Sequence, residues 1–223
     1  MIASPGPPVG GEPVGGEPAG VNGRLPAVRR AGPDDVATIA SLLSRAFVED
    51  PVASYIFSDD ASRERRLRRF FELQLRHNYL VRGEVYVLDA RLSAAMWMPP
   101  SPQDARGRDV IAHFGLVPLL GARFLATRRL SLMLASHHPK LRHYYLGTIG
   151  TDPAHQGRGA GSLLLAPVLH RCDALGLPAY LECSREENVA FYARHGFVVS
   201  ERVEAPDGGP SLWLMWRAPR PAG

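Results

Sequence analysis

The sequence has few cysteines, a single lysine and no long hydrophobic run. Its two cysteines, Cys172 and Cys183, lack neighbours at the spacing of a four-ligand zinc site. No segment offers the roughly 20 uninterrupted apolar residues that a bilayer span requires, and the first residues lack a basic region followed by an apolar one. We therefore expect a cytoplasmic protein without a membrane helix or a metal, in which both cysteines serve in packing.

The positive charge of the chain comes almost entirely from arginine. Lysine and arginine together number 26 against 22 acidic residues, which gives a formal net charge of +4, and Lys140 is the only lysine. A basic protein attracts nucleic acid, and it equally attracts a cofactor that carries several phosphates, because both effects are long-range Coulomb attraction. Composition alone does not choose between these ligands.

Composition divides the chain into a tail and one domain. Residues 1–23 are rich in proline, glycine and glutamate, so ordering them would cost backbone entropy with little apolar burial in return. The remainder is long enough for one substantial core and short for two. We predict a disordered tail over 1–23, a single domain over 24–218 and a short tail over 219–223.

Hydrophobic periodicity predicts a mixed α/β order along this domain. A strand at 26–30, a helix ending near 47, a helix at 61–79 and a hairpin of strands 83–88 and 92–98 come first. The arginines of the second helix are expected on a solvent-exposed face; they are Arg63, Arg65, Arg66, Arg68 and Arg69. From residue 143 onward the pattern gives a strand at 143–150, a helix at 159–175, a strand at 179–184, a helix at 187–195 and strands at 197–204 and 212–216. A strand, a crossover helix and a second strand predict a parallel pair.

An apolar segment over 109–136 separates the two halves of this pattern. Gly115, Pro118 and Gly121 interrupt it, which predicts several short helices. The segment is too long and too hydrophobic for a solvated loop, so we expect it to cover another part of the domain.

The most informative motif is a glycine-rich turn between the strand at 143–150 and the following helix. Its glycines are spaced by two positions, which lets the backbone turn with exposed N–H groups in front of a helix N-terminus, where phosphate binds. A dinucleotide fingerprint would need a different spacing of the third glycine, and a simple turn needs one glycine. The motif therefore favours a phosphate or pyrophosphate site. It consists of Gln156, Gly157, Arg158, Gly159, Ala160, Gly161 and Ser162.

This motif resembles the Gln/Arg-x-x-Gly-x-Gly/Ala signature with which GNAT N-acetyltransferases hold the pyrophosphate of coenzyme A. The resemblance extends over roughly 24–218. It implies a mixed central sheet with splayed parallel strands, flanked by helices, and acetyl-CoA as co-substrate without a metal. It also implies that the pantetheine arm pairs with backbone groups of Ile149 and Thr151, and that Asn188 contacts the cofactor.

The same resemblance assigns Tyr192 to the sulfur of the cofactor, where a phenol can protonate the departing thiolate. The alternative for Tyr192 is an aromatic packing residue. An acceptor ammonium must lose a proton before it attacks, and Glu182, on the strand beside the cofactor gap, is the first candidate for the base. The alternative for Glu182 is a structural carboxylate paired with an arginine. A backbone N–H near Ile149 is the candidate oxyanion donor.

Acceptor recognition in this family falls to the first two helices and to the strand that faces the cofactor. Four residues occupy these positions and are candidate substrate-binding residues, each with an ordinary loop or core role as its alternative: Phe47, Asp50, Tyr55 and Tyr145.

The leading hypothesis is direct acetyl transfer to a small-molecule amine in a ternary complex. A protein lysine or N-terminal acetyltransferase and a non-catalytic acyl-CoA-sensing domain are the alternatives. We expect a monomer or homodimer that binds neither nucleic acid nor membrane.

Overall fold

The computed structural model describes residues 27–88, 92–100 and 117–220. The tail at 1–23, the hairpin turn at 89–91 and the first part of the apolar segment lie outside the described residues. The strands are β1 Val28–Arg30, β2 Glu84–Leu88, β3 Ser93–Met98, β4 Tyr144–Thr151, β5 Ala179–Cys183, β6 Val198–Glu204 and β7 Ser211–Arg217. The α-helices are α1 Val36–Phe47, α2 Pro51–Ile56, α3 Asp60–Gln74, α4 Leu80–Arg82, α5 Val117–Leu120, α6 Phe124–His137, α7 Ala160–Leu175 and α8 Val189–Arg194.

The described strands form one sheet in the order β1-β2-β3-β4-β5-β7-β6. Every neighbouring pair is antiparallel except β4 and β5, which are parallel. Helix α7 makes the crossover between these two strands, as a parallel pair requires. The predicted mixed α/β sheet with one parallel pair is therefore confirmed, and the parallel pair lies at its centre.

Helices cover both faces of this sheet. On one face, α1 and α3 pack on β2 and β3 around Phe71 and Leu75, both completely buried. On the other face, α7 and α8 pack on β4 and β5 around Leu164 and Phe197. Side chains of successive strand residues point to opposite faces, so each strand contributes to both layers.

The second helix differs from its prediction in two respects. It does not run uninterrupted to residue 79, because α3 ends at Gln74 and a π-helical turn, Leu75–Tyr79, follows. The prediction that all its arginines face solvent is wrong for Arg63, which is 7% exposed. Its Nε donates a 2.8 Å hydrogen bond to the carbonyl of Phe57 and its guanidinium pairs with Asp60, so it closes the turn before α3.

The described part of the apolar segment is more regular than its prediction. After α5 and a 3₁₀ turn in which Gly121 has a φ of +51°, α6 continues for 14 residues. No glycine or proline stands between Phe124 and His137, so nothing interrupts the helix. Leu130 of α6 is buried against Tyr145 and Tyr180, which confirms that this segment covers the sheet.

Candidate active site

The central parallel strands separate part of the way along their length. β4 and β5 pair only at Tyr144 with Ala179, Tyr145 with Tyr180 and Leu146 with Leu181. β4 continues to Thr151 and stays paired with β3 to that residue. Its edge toward β5 therefore has backbone groups from 147 to 151 that no described strand pairs. Unpaired backbone groups inside a sheet are costly unless a ligand or water satisfies them.

A β-bulge at Gly147 accounts for this separation. Thr148 pairs with Met96 and Leu146 pairs with Trp97, so Gly147 is an extra residue on β4. A bulge bends its strand and increases the local twist. The position also requires glycine, because a Cβ there would overlap the hydroxyl of Tyr79.

The glycine-rich turn begins where β4 ends. Asp152 accepts a 2.7 Å hydrogen bond from Nη2 of Arg45 and caps the 3₁₀ turn Pro153–His155, which fixes the start of the turn. Gly157 and Gly159 then adopt φ values of +77° and +81°, a conformation that strains any other residue. Apart from the adjoining residues, no atom of the described residues lies within 4 Å of a Cβ built on either glycine, so both face open space in front of α7. The positive N-terminal end of α7 points into the same space.

The remaining motif residues support this turn. Nε2 of Gln156 donates a 3.3 Å hydrogen bond to the carbonyl of Thr151, while Arg158 is exposed and Ala160 begins α7. A Cβ at Gly161 would lie 2.9 Å from the ring of Phe191, so glycine permits the close approach of α7 and α8. The hydroxyl of Ser162 lies 2.9 Å from Nε2 of His195. The motif residues thus lie together at the start of α7, and phosphate binding by them stays a prediction.

Tyr192 is a buried tyrosine on α8 whose hydroxyl has no hydrogen-bond partner among the described residues. Burial raises the pKa of Tyr192 well above its ordinary value, and the nearby Cys183 and Asp50 act in the same direction. Its phenol is therefore protonated at neutral pH and has a hydrogen to donate. Cys183 is the last residue of β5, so this hydroxyl lies beside the opened end of the parallel pair. Asn188 is buried directly before the same helix.

Glu182 lies on the face of β5 that points away from Tyr192, and it is 2% exposed. Its Oε2 accepts a 2.5 Å hydrogen bond from the hydroxyl of Tyr145, and its Oε1 lies 3.7 Å from Nδ1 of His138. Burial raises the pKa of Glu182, contacts with His138 and Tyr145 lower it, and the net shift is downward. The lowered pKa keeps the buried carboxylate ionised at neutral pH.

The predicted acceptor-binding residues lie on the same side of the sheet as Glu182. Phe47 is buried with its ring 5.6 Å from that of Phe71. Asp50 is the N-cap of α2: its Oδ1 accepts from the N–H groups of Val52 and Ala53, and its Oδ2 accepts from the Ser184 hydroxyl. Burial raises the pKa of Asp50. Because both its oxygens are engaged, Asp50 fastens α2 to the end of β5.

Tyr55 and Tyr145 frame this side from two elements. The hydroxyl of Tyr55 donates to the carbonyl of Pro206 at 2.9 Å, and the guanidinium of Arg123 lies 4.5 Å from its ring centre. Tyr145 is buried and contacts Glu182, as described above. Substrate binding by these four residues stays a prediction.

Sequence reasoning missed His138, which lies beside the Glu182 carboxylate, and also His143 and Tyr180, whose rings pack against that of His138. Helix α6 ends at His137, so His138 is the first residue after this helix. His138 reaches Glu182 from 44 positions earlier in the chain, as the residue numbers show. No local pattern signals such a contact.

Within the described residues no group of three or more His, Cys, Asp or Glu side chains could hold a metal ion, and no helix is long and apolar enough to cross a membrane.

Comparison with known proteins gives the class of this chain. Residues 105–197 match the model of the acetyltransferase (GNAT) family. A crystal structure from Corynebacterium glutamicum, described as histone acetyltransferase HPA2 and related acetyltransferase, is 29% identical with a TM-score of 0.65 and covers 88% of this chain and 98% of that chain. The chain is an acyltransferase with the GNAT fold, and these matches support its place in the GNAT superfamily.

One further sequence relative and one further solved structure are similar to this chain. An uncharacterized N-acetyltransferase of Schizosaccharomyces pombe is 25% identical over 190 residues, which are 79% of this chain and 76% of the relative. The Drosophila melanogaster polyamine N-acetyltransferase, which forms N-acetylagmatine, shares the fold with a TM-score of 0.60 at 15% identity, over 87% of this chain and 100% of that chain.

Proposed function

We propose that this protein transfers an acetyl group from acetyl-CoA to the amine of a small molecule, by direct transfer in a ternary complex. One observation carries the proposal. Glu182 of β5 points to one side of the sheet, and Tyr192 of α8 packs against the other side, beside the point where β5 separates from β4. A proton acceptor and a proton donor therefore flank one opening in the sheet. Amine acetylation needs both functions, one for the nucleophile and one for the leaving group.

The residues present fit acetyl-CoA. The open space around Gly157 and Gly159, in front of α7, suits a pyrophosphate. The unpaired edge of β4 at Ile149 and Thr151 offers backbone partners for the pantetheine amides, and Asn188 lies close by in the chain to Tyr192. The unpartnered hydroxyl of Tyr192 gains an acceptor when a sulfur atom reaches the opening. The co-substrate supplies the acetyl thioester.

The chain's own groups then account for the proton transfers. Glu182 takes a proton from the acceptor ammonium, which exposes the nitrogen lone pair. A backbone N–H near Ile149 stabilises the oxyanion that develops on the thioester carbonyl. Tyr192 protonates the departing thiolate. Alignment of two bound substrates supplies the rest of the rate enhancement.

A helix covers the face of the sheet that carries Glu182, which favours a small acceptor. Helix α6 packs Leu130 onto Tyr145 and Tyr180, so the face carrying Glu182 is covered by helix. Several short runs also resemble puromycin N-acetyltransferase, at 138–140, 146–162, 179–184, 191–192 and 203–210. This resemblance makes an aminonucleoside antibiotic one candidate acceptor and drug resistance one candidate role. The 109–136 segment resembles that enzyme only weakly. A cytoplasmic location and a monomeric or homodimeric state stay predictions.

A panel of amines tests the proposal. Thiol release from acetyl-CoA is measured with puromycin, agmatine, an aminoglycoside and a lysine peptide, and each acetylated product is identified by mass spectrometry. Turnover of one small amine at least tenfold above the peptide supports the proposal. Preference for the peptide would instead identify a protein acetyltransferase, and binding of acetyl-CoA without turnover of any amine would identify a sensor.

A further inference from the structure

A chain of titratable side chains leads away from the buried carboxylate of Glu182. Nδ1 of His138 lies 3.7 Å from Oε1 of Glu182, and Nε2 of His138 lies 3.1 Å from Nε2 of His143. Glu182 is 2% exposed, His143 is completely buried, and the side chain of His138 is 17% exposed. His138 therefore connects the carboxylate to solvent.

The contacts of His143 determine which ring nitrogens of His138 and His143 carry a proton. Nδ1 of His143 lies 2.6 Å from the carbonyl oxygen of Leu141, and a carbonyl only accepts, so this nitrogen carries a proton. The contact between the two Nε2 atoms holds one further proton. A neutral imidazole ring carries one proton on nitrogen, so these two protons are all that the two neutral rings hold. In this neutral state Nδ1 of His138 is the unprotonated nitrogen nearest Glu182; once protonated, it lowers the pKa of that carboxyl group as described above.

We propose that the His138–His143 pair receives, through Glu182, the proton that the acceptor amine loses. The N–H bond of the ammonium breaks and its proton passes to the carboxylate of Glu182. The proton then passes from Glu182 through one water molecule to Nδ1 of His138, because 3.7 Å is too long for a direct hydrogen bond; the carboxylate is restored, and the histidine pair carries one positive charge. The charged ring faces the carboxylate as an ion pair, and Nδ1 of the partly exposed His138 ring later releases the proton to water. No further reactant is required.

Several groups face this pair from the elements packed around it. β5 contributes Glu182 and Tyr180, and β4 contributes Tyr145, whose ring centre lies 5.3 Å from that of His138. Burial and the charge of Glu182 raise the pKa of both tyrosines, so both phenols stay neutral. The ring of Trp216 on β7 lies 5.7 Å from that of His143. On β6, Glu201 lies 3.6 Å from the neighbouring His137.

His138→Gln removes the proton acceptor, and His137→Gln is the matched control one residue earlier. His138 acts through Glu182, so it is a positioning residue for proton transfer and does not touch the reacting atoms. We expect His138→Gln to lower kcat at neutral pH by about tenfold or more. The KM for acetyl-CoA should stay within about twofold, and the acidic limb of the pH–rate profile should change. His137→Gln should keep the wild-type profile.

Chemical rescue separates proton transfer from a merely structural role. Imidazole added to His138→Gly should restore part of kcat in proportion to its free-base concentration, and it should not affect His137→Gly. A wild-type kcat and pH profile in His138→Gln, with Glu182→Gln inactive, would overturn the relay. So would the absence of rescue in a His138→Gly variant that folds and binds acetyl-CoA normally.

This inference rests on the proposed function, and a titration without turnover keeps the two distinguishable. The ¹³C signal of the Glu182 carboxyl group is followed with pH in the wild-type protein and in His138→Gln. The pKa of Glu182 should rise in the variant, because the contact with His138 that lowers it is lost. Normal turnover with an unchanged titration would overturn the relay alone. Absence of turnover with every acceptor would overturn both proposals.

Discussion

The hydroxyl of Tyr145 donates a 2.5 Å hydrogen bond to Oε2 of Glu182 across the parallel strands β4 and β5, just before these strands separate. Tyr145 is thus both a candidate acceptor-binding residue and a support for the proposed base. A hydrogen bond to the ionised form of a carboxyl group favours that form, which is one reason for the lowered pKa of Glu182.

Replacing Tyr145 by phenylalanine should move the pH dependence of the reaction. The substitution removes a donor that lowers the pKa of Glu182, so this pKa rises. Glu182 is then protonated at a higher pH, and the acidic limb of kcat moves upward by about one pH unit, given the usual strength of a hydrogen bond to a charged group. The measurement is kcat from about pH 3 to pH 8, because the lowered pKa of Glu182 puts the wild-type acidic limb below its ordinary position. An unchanged limb would show that Tyr145 does not support the base.

Tyr192→Phe should separate catalysis from stability. The hydroxyl has no partner among the described residues, and a buried unsatisfied polar group is destabilising, so its removal should leave the protein equally stable or about 1 kcal/mol more stable. Loss of the proton donor should lower kcat about a hundredfold. Urea unfolding and steady-state kinetics on the same preparations measure both effects. A less stable variant with normal kcat would assign Tyr192 to packing.

Gly159→Ala should weaken acetyl-CoA binding through the space that its Cβ occupies. Gly176, at the other end of α7, provides the control because it has a similar backbone, with a φ of +64°, and equally open surroundings. Both substitutions should cost about 1–2 kcal/mol of stability from the left-handed conformation. Calorimetry should show at least tenfold weaker binding only for Gly159→Ala. Equal affinities in both variants would argue against phosphate binding at this turn.

Asp173→Asn should destabilise the protein in a pH-dependent way. Asp173 accepts two hydrogen bonds from Arg217, at 2.8 and 2.7 Å, and this arginine lowers its pKa. Because the folded-state pKa is depressed, the stabilisation is present above the unfolded pKa and is lost as the pH falls through the folded value. We expect a loss of about 3 kcal/mol at pH 7. Unfolding at pH 7 and below pH 3 measures the effect, which should nearly vanish in acid.

The fold was predictable from the sequence where its signals are local. The helical spacing of α1, the alternation of β2 and β3 and the glycines before α7 each appear within a few residues, and the structure confirms all of them. Arg63 shows the limit of this approach. Its charge indicated solvent, whereas a turn formed by Phe57 provides a buried carbonyl that no helical pattern encodes.

The candidate site was predictable only in part. Glu182 and Tyr192 were found through a resemblance, and the structure puts them on either side of one strand. His138 and His143 were missed because their contacts depend on how the end of α6 meets β4 and β5. Such a contact joins residues far apart in sequence and leaves no periodic trace in either segment.

Rapid mixing of the wild-type protein with acetyl-CoA tests direct acetyl transfer most directly. The protein is mixed with acetyl-CoA alone and, in parallel, with acetyl-CoA and the best acceptor amine, and thiol release is followed through the first turnover. We expect no stoichiometric burst without amine, and one thiol for each acetylated amine when both substrates are present. A burst of thiol without amine, with acetyl recovered on the protein, would contradict direct transfer.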